Sequence, residues 1–209
     1  MPEGEAELLL ATIGIIEGVS KSESGEYRKL LAAVHDVAEH VLSLPDYTAQ
    51  PDNQKFYPRK KIHRPSPAEQ DFGSAWAHKF LIQGNPTGSL LQGKTICLKD
   101  NIAVAGVPQF FGSDAIDPWV PSRDATVVTR ALDAGAQIVG TAICENFCNS
   151  TSSYTSAQGT VHNPYARGYS AGGSTSGGSA LVGGGLVDIA IGADQGGSIR
   201  VPSSFCGCK

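Results

Sequence analysis

Two Gly-Gly-Ser corners, Gly172-Gly173-Ser174 and Gly196-Gly197-Ser198, constrain this chain more than any other feature. Between them a small-residue stretch, 179–185, leads into the apolar run Val187-Asp188-Ile189-Ala190-Ile191. A β-branched run closed by glycine reads as a buried strand. It delivers the chain into the turn Gly192-Ala193-Asp194-Gln195-Gly196-Gly197-Ser198. Glycine pairs admit positive φ and let other groups approach the main chain. Successive free N–H groups in such a turn form an anion-binding concavity. A serine ending the turn has its hydroxyl beside those donors, as acyl transfer requires.

Upstream, Thr95-Ile96-Cys97-Leu98-Lys99 alternates as a strand, with Ile96 and Leu98 on one side and Thr95, Cys97 and Lys99 on the other. Burying a charged lysine costs several kcal/mol unless it is paired or loses its proton. A desolvated lysine can act as a base near neutral pH. Taken alone, Lys99 reads as an ion-paired or snorkelling side chain rather than as a base.

The stretch 172–200 resembles the amidase signature family. In that family the nucleophilic serine sits in a Gly-Gly-Ser-Ile-Arg turn. A second serine, held by a cis peptide, sits in an upstream Gly-Gly-Ser corner, and a lysine lies further upstream. The resemblance implies that Ser198 is the nucleophile, Ser174 the cis-serine and Lys99, in Lys-Asp-Asn-Ile-Ala, the base. It implies an oxyanion hole from the N–H groups of Gln195, Gly196, Gly197 and Ser198, with Thr175 and Arg200 supporting the triad. Thr175 stands where the family commonly has serine or glycine. The loop 144–150 reaches the active site in the family, so Cys148 and Ser150 either line the acyl pocket or pack the loop. The implied reaction is hydrolysis of a small-molecule carboxamide to a carboxylic acid and ammonia through an acyl-enzyme, with no metal or organic cofactor.

Strand, helix and strand over 95–142 argue for a parallel α/β arrangement. The resemblance implies an α/β fold with a mixed, twisted sheet flanked by helices. It is strong over 88–209 and looser over 25–87, where His63-Arg64-Pro65 and Trp76 are similar to a branch acting on small carboxamides. Residues 1–87 are expected to be a helical segment and an extended connector, and 88–209 the N-terminal part of an incomplete amidase signature domain. The rival expectation is a truncated, catalytically inactive chain. Apolar strands at 138–141 and 187–191 would lack later neighbours, inviting self-association as a homo-oligomer.

With 209 residues and a net charge of −4, the chain gives no support to a nucleic-acid or acidic-membrane partner. Its acidic start lacks the basic region of a signal peptide, and the apolar run 8–16 is too short for a bilayer. The odd set of five cysteines then reads as reduced thiols of a cytoplasmic protein. Cys206-Gly207-Cys208 has no second pair to complete a metal site.

Helices are expected over 5–17 and 26–44, the second capped by Ser24 and stopped at Leu44-Pro45. Residues 45–68 read as an extended connector, and Arg59-Lys60-Lys61 as a solvated patch. Ser66-Pro67-Ala68-Glu69 has capping-box spacing and predicts a helix running to Lys79. A helix capped at Asp124 and ending at Gly135 precedes the strand 136–142. His35 and His40 have no partner at ligand spacing. His162 is not a triad base, because neither serine sits in a Gly-x-Ser-x-Gly elbow. A nucleotide-binding module at 172–179 is disfavoured, because Gly178 stands where a P-loop needs lysine.

Overall fold

The fold, a computed structural model, is described for residues 23–44, 57–88 and 90–209. They fall into two compact units, the first holding helix α1 (Ser24–Ser43) and the second everything from Tyr57 onward. In α1, Leu30, Val34, Val37 and Val41 recur at helical spacing, and Glu26 pairs with Lys29 at 3.3 Å. Glu23 rather than Ser24 holds the N-cap position, and the helix ends at Ser43 with Leu44 as its C-cap, one residue short of the expected end. The helix expected over 5–17 lies outside the described residues.

The second unit contains strands β1 (Arg59–His63), β2 (Trp76–Gln83) and β3 (Thr95–Lys99), helix α2 (Thr126–Asp133) and strand β4 (Gln137–Ala142). A small ribbon, β5 (His162–Asn163) and β6 (Ala166–Ser170), follows. Helix α3 (Ser176–Gly183), strand β7 (Ile189–Ile191) and helix α4 (Arg200–Phe205) complete it. The main sheet has the order β1-β2-β4-β3-β7. β4, β3 and β7 run parallel, whereas β1 and β2 are antiparallel additions, so the sheet is mixed.

The alternation in β3 places the chain in its layers. Ile96 and Leu98 join Ile138 and the α2 residues Val128 and Leu132 in one core. Cys97 joins Ala142 and the α3 residues Ala180 and Leu181 in another. Both faces of the sheet are thus covered by helices. Each fully buried aliphatic side chain contributes roughly 1.5–3 kcal/mol.

Three further expectations fail. The helix expected to carry Trp76 is only a short turn, Pro67–Glu69, whose capping box is real. The chain then enters β2, where Trp76, Ala77, His78, Phe80 and Ile82 are buried. Part of the expected connector is also strand, since β1 pairs with β2. Asp124 does not cap α2, because its Oδ1 accepts the Ala105 N–H at 2.7 Å and its Oδ2 binds Arg59.

Candidate active site

β3 and β7 are parallel, so their carboxyl ends open on the same side of the sheet. In parallel sheets that edge is where reactive groups gather, because the loops leaving the strands converge there. Lys99 is the last residue of β3, and the turn 192–198 leaves β7. Ser174 arrives from another direction, in the corner between β6 and α3.

These three side chains form one line. Lys99 Nζ lies 2.8 Å from Ser174 Oγ, which lies 2.8 Å from Ser198 Oγ. The Gly173–Ser174 peptide bond is cis. Lys99 is 1% exposed, and burial pushes its pKa down, against weaker opposing effects of Cys148, Cys144, Asp194 and Glu145. The Ala193 carbonyl lies 3.5 Å from its amine.

Ser174 Oγ also lies 2.6 Å from the carbonyl oxygen of Cys148. A hydroxyl has one proton and two acceptor lone pairs, whereas a carbonyl oxygen only accepts. When Ser174 donates to Cys148, its lone pairs are free to accept from Lys99 and Ser198. Moving the Ser174 proton toward a neutral Lys99 requires it to leave that carbonyl.

The turn holding Ser198 is shaped by Asp194. Its Oδ1 accepts the Gly197 N–H at 2.7 Å and Arg200 Nη2 at 2.9 Å. Its Oδ2 accepts the N–H groups of Ile199 and Arg200 at 3.0 and 3.1 Å, and Arg200 Nε at 3.0 Å. The Arg200 side chain, then these N–H donors, holds Asp194 far below the usual carboxylate range. Gly197 has φ +115, a left-handed region that a side chain there would strain. Gly197, expected to be an oxyanion donor, therefore commits its N–H to the turn. The N–H groups of Gln195, Gly196 and Ser198 have no hydrogen-bond partner among the described residues.

Thr175 joins the two corners through its backbone, with its N–H donating to the Ser198 carbonyl at 3.1 Å. Its buried hydroxyl has no hydrogen-bond partner among the described residues. Gly173 makes a close approach, since a Cβ there would collide with the Ser152 carbonyl and meet Ser150 O at 2.9 Å. Ser150 Oγ and Ser152 Oγ share a hydrogen bond at 2.7 Å.

Cys148 reaches the site through its carbonyl. Phe147 and Cys148 have φ values of 46 and 58, which few non-glycine residues adopt. That turn brings the Cys148 sulfur to 3.5 Å from Cys144 Sγ. Buried Glu145 braces the same loop, accepting from Ser176 Oγ at 2.9 Å and from both Thr155 N–H and Thr155 Oγ1 at 2.7 Å.

Asp194, Glu145 and Cys144 do not stand out from the sequence. Asp194 had a signal, because an aspartate opening a glycine turn can capture N–H groups a few residues on. Asn163 Nδ2 donates to the Phe205 carbonyl at 2.8 Å, tying the β5–β6 turn to α4. His162 makes no hydrogen bond to either serine, and no group of three or more His, Cys, Asp or Glu among the described residues could hold a metal ion. No described helix is long and apolar enough to cross a membrane.

The family profile described as Amidase matches residues 74–209. An enantioselective amidase of Rhodococcus rhodochrous is 47% identical over 157 residues, covering 73% of this chain and 30% of that protein. An indoleacetamide hydrolase of Pseudomonas savastanoi is 37% identical over 144 residues, covering 69% of this chain and 30% of that one. The structure of a peptide amidase from Stenotrophomonas maltophilia superposes with a TM-score of 0.51 at 35% identity, covering 55% of this chain and 24% of that one. The chain spans about 30% of the length of the curated relatives it matches.

Proposed function

This chain belongs to the amidase signature family, and from that premise we propose that it carries the catalytic line of an amidase cleaving small carboxamides. The observation supporting this is the run Lys99 Nζ–Ser174 Oγ–Ser198 Oγ, with both separations 2.8 Å. Ser198 Oγ attacks the amide carbon, and its proton passes to Ser174 as the Ser174 proton moves to neutral Lys99. The oxyanion is held by the free N–H groups of Gln195, Gly196 and Ser198, each worth about 3–4 kcal/mol in acyl-transfer sites. Gly197 contributes the shape of the turn.

Collapse of the tetrahedral intermediate breaks the C–N bond. Ser174 gives the leaving nitrogen a proton and is reprotonated by Lys99, so ammonia departs and an ester on Ser198 remains. Water, activated by the same relay, hydrolyses the ester to the carboxylic acid. Within each half-reaction Lys99 holds the proton between attack on the carbonyl and collapse of the tetrahedral intermediate.

The test is ammonia release from a simple carboxamide, with trapping of the acyl-enzyme on Ser198. Trapped acyl groups on Ser198, lost in Lys99→Ala, support the reading. Turnover that survives Ser198→Ala overturns it.

A further inference from the structure

We propose that Cys144 and Cys148 are a reversible dithiol–disulfide switch that acts on the catalytic line through the Cys148 carbonyl. This rests on the proposed roles of Ser174 and Ser198. Both cysteines are free thiols, with sulfurs 3.5 Å apart across the Asn146–Cys148 turn. A disulfide needs about 2.05 Å, so closure moves the sulfurs together by about 1.5 Å. The carbonyl of Cys148 sits 2.6 Å from Ser174 Oγ, so the residue that moves also positions the relay serine.

The two thiols differ in the way a switch needs. Cys148 is half-buried and Cys144 fully buried. The hydrogen bond shared with Cys144 favours the Cys148 thiolate against its burial, whereas that bond and burial keep Cys144 protonated. Cys148 is therefore the attacking sulfur and Cys144 the resolving one. With a peroxide as oxidant, the Cys148 thiolate attacks the O–O bond and becomes a sulfenic acid, releasing the alcohol or water. Cys144 sulfur then attacks Cys148 sulfur, the S–S bond forms, the S–O bond breaks, and water leaves with the Cys144 proton. Overall, two thiols and one peroxide yield a disulfide, an alcohol or water, and water. A dithiol reductant returns the pair by exchange.

A shift near 1 Å in a catalytic group can cost about a hundredfold in rate. Closure therefore slows the reaction of Ser198 by tenfold or more. The experiment treats the chain with hydrogen peroxide, maps disulfides by peptide mass spectrometry, and times fluorophosphonate labelling of Ser198 on its alkaline plateau. That plateau excludes any effect of the charge lost from Cys148. The expected result is a Cys144–Cys148 disulfide, labelling slowed at least tenfold, and recovery of both with dithiothreitol. Cys144→Ala, or Cys144→Ser if that variant misfolds, should label at one rate before and after peroxide. Both thiols remaining alkylatable, or a disulfide with unchanged labelling, would overturn the proposal. A reduced chain that never labels faults the Ser198 reading instead, and the mass map still decides whether the disulfide forms.

Discussion

The backbone N–H of Thr175 donates to the carbonyl of Ser198 at 3.1 Å, so the two Gly-Gly-Ser corners are held by main chain as well as by side chains. The hydroxyl contact between Ser174 and Ser198 therefore depends on how closely the first corner can approach its neighbours. Gly173 sets that approach, because backbone oxygens of Ser152 and Ser150 occupy the place of a Cβ.

Gly173→Ala should displace the corner. Overpacking of this kind costs about 1–3 kcal/mol. The expected outcome is a stability loss of that size in urea unfolding, together with loss of Ser198 labelling. A variant that labels at the parent rate would show that the corner tolerates movement.

Asp194→Asn should uncouple the nucleophile turn from Arg200. An amide in place of the carboxylate presents NH₂ to N–H donors, leaving at least one unsatisfied at a cost of about 1–3 kcal/mol. Labelling should slow by tenfold or more. Parent-like labelling with a lower melting temperature would confine Asp194 to a structural role.

Lys99 must be neutral to accept the Ser174 proton. Burial lowers its pKa below the ordinary 10.5, so the neutral form is present above that lowered value and lost as pH falls through it. Labelling rate should therefore have a single acid limb below 10.5. Lys99→Ala should be nearly unreactive at every pH. An unchanged acid limb in that variant would assign the limb to another group.

Asp100 predicts a stability signal separate from catalysis. Burial raises its pKa from 3.8 to about 7, against the Phe110 and Phe111 N–H groups that hydrogen-bond its Oδ2. The folded state then binds more protons than the unfolded state between these values, so the stability from Asp100 is full below about 4 and lost by about 7. Asp100→Asn should remove that part of the decline, giving a flatter stability profile than the parent. Parallel profiles would mean that Asp100 is ionised throughout.

The site was more legible than the layers around it, and the reason is local. Lys99, Ser174 and Ser198 lie in short motifs that resemble those of the amidase signature family, and the three side chains meet at the ends of β3, β6 and β7. β2 was misread because Trp76, Ala77 and His78 are all buried in succession. A strand covered on both faces loses the period-2 alternation that separates strand from helix. The capping box at Ser66 was correctly read, but it closes only a three-residue turn. Asp194 and Cys144 were missed because their partners are set by turn geometry: the left-handed backbone at Phe147 and Cys148 brings the two sulfurs together.

The most direct test of the catalytic line is fluorophosphonate labelling of the chain, with the adduct located by peptide mass spectrometry. One adduct per chain is expected, on Ser198. It should be absent in Ser198→Ala and formed at least a hundredfold more slowly in Ser174→Ala, where the relay is cut between Ser198 and Lys99. An adduct forming in Ser198→Ala at the parent rate, or a folded parent chain that never labels, would contradict it.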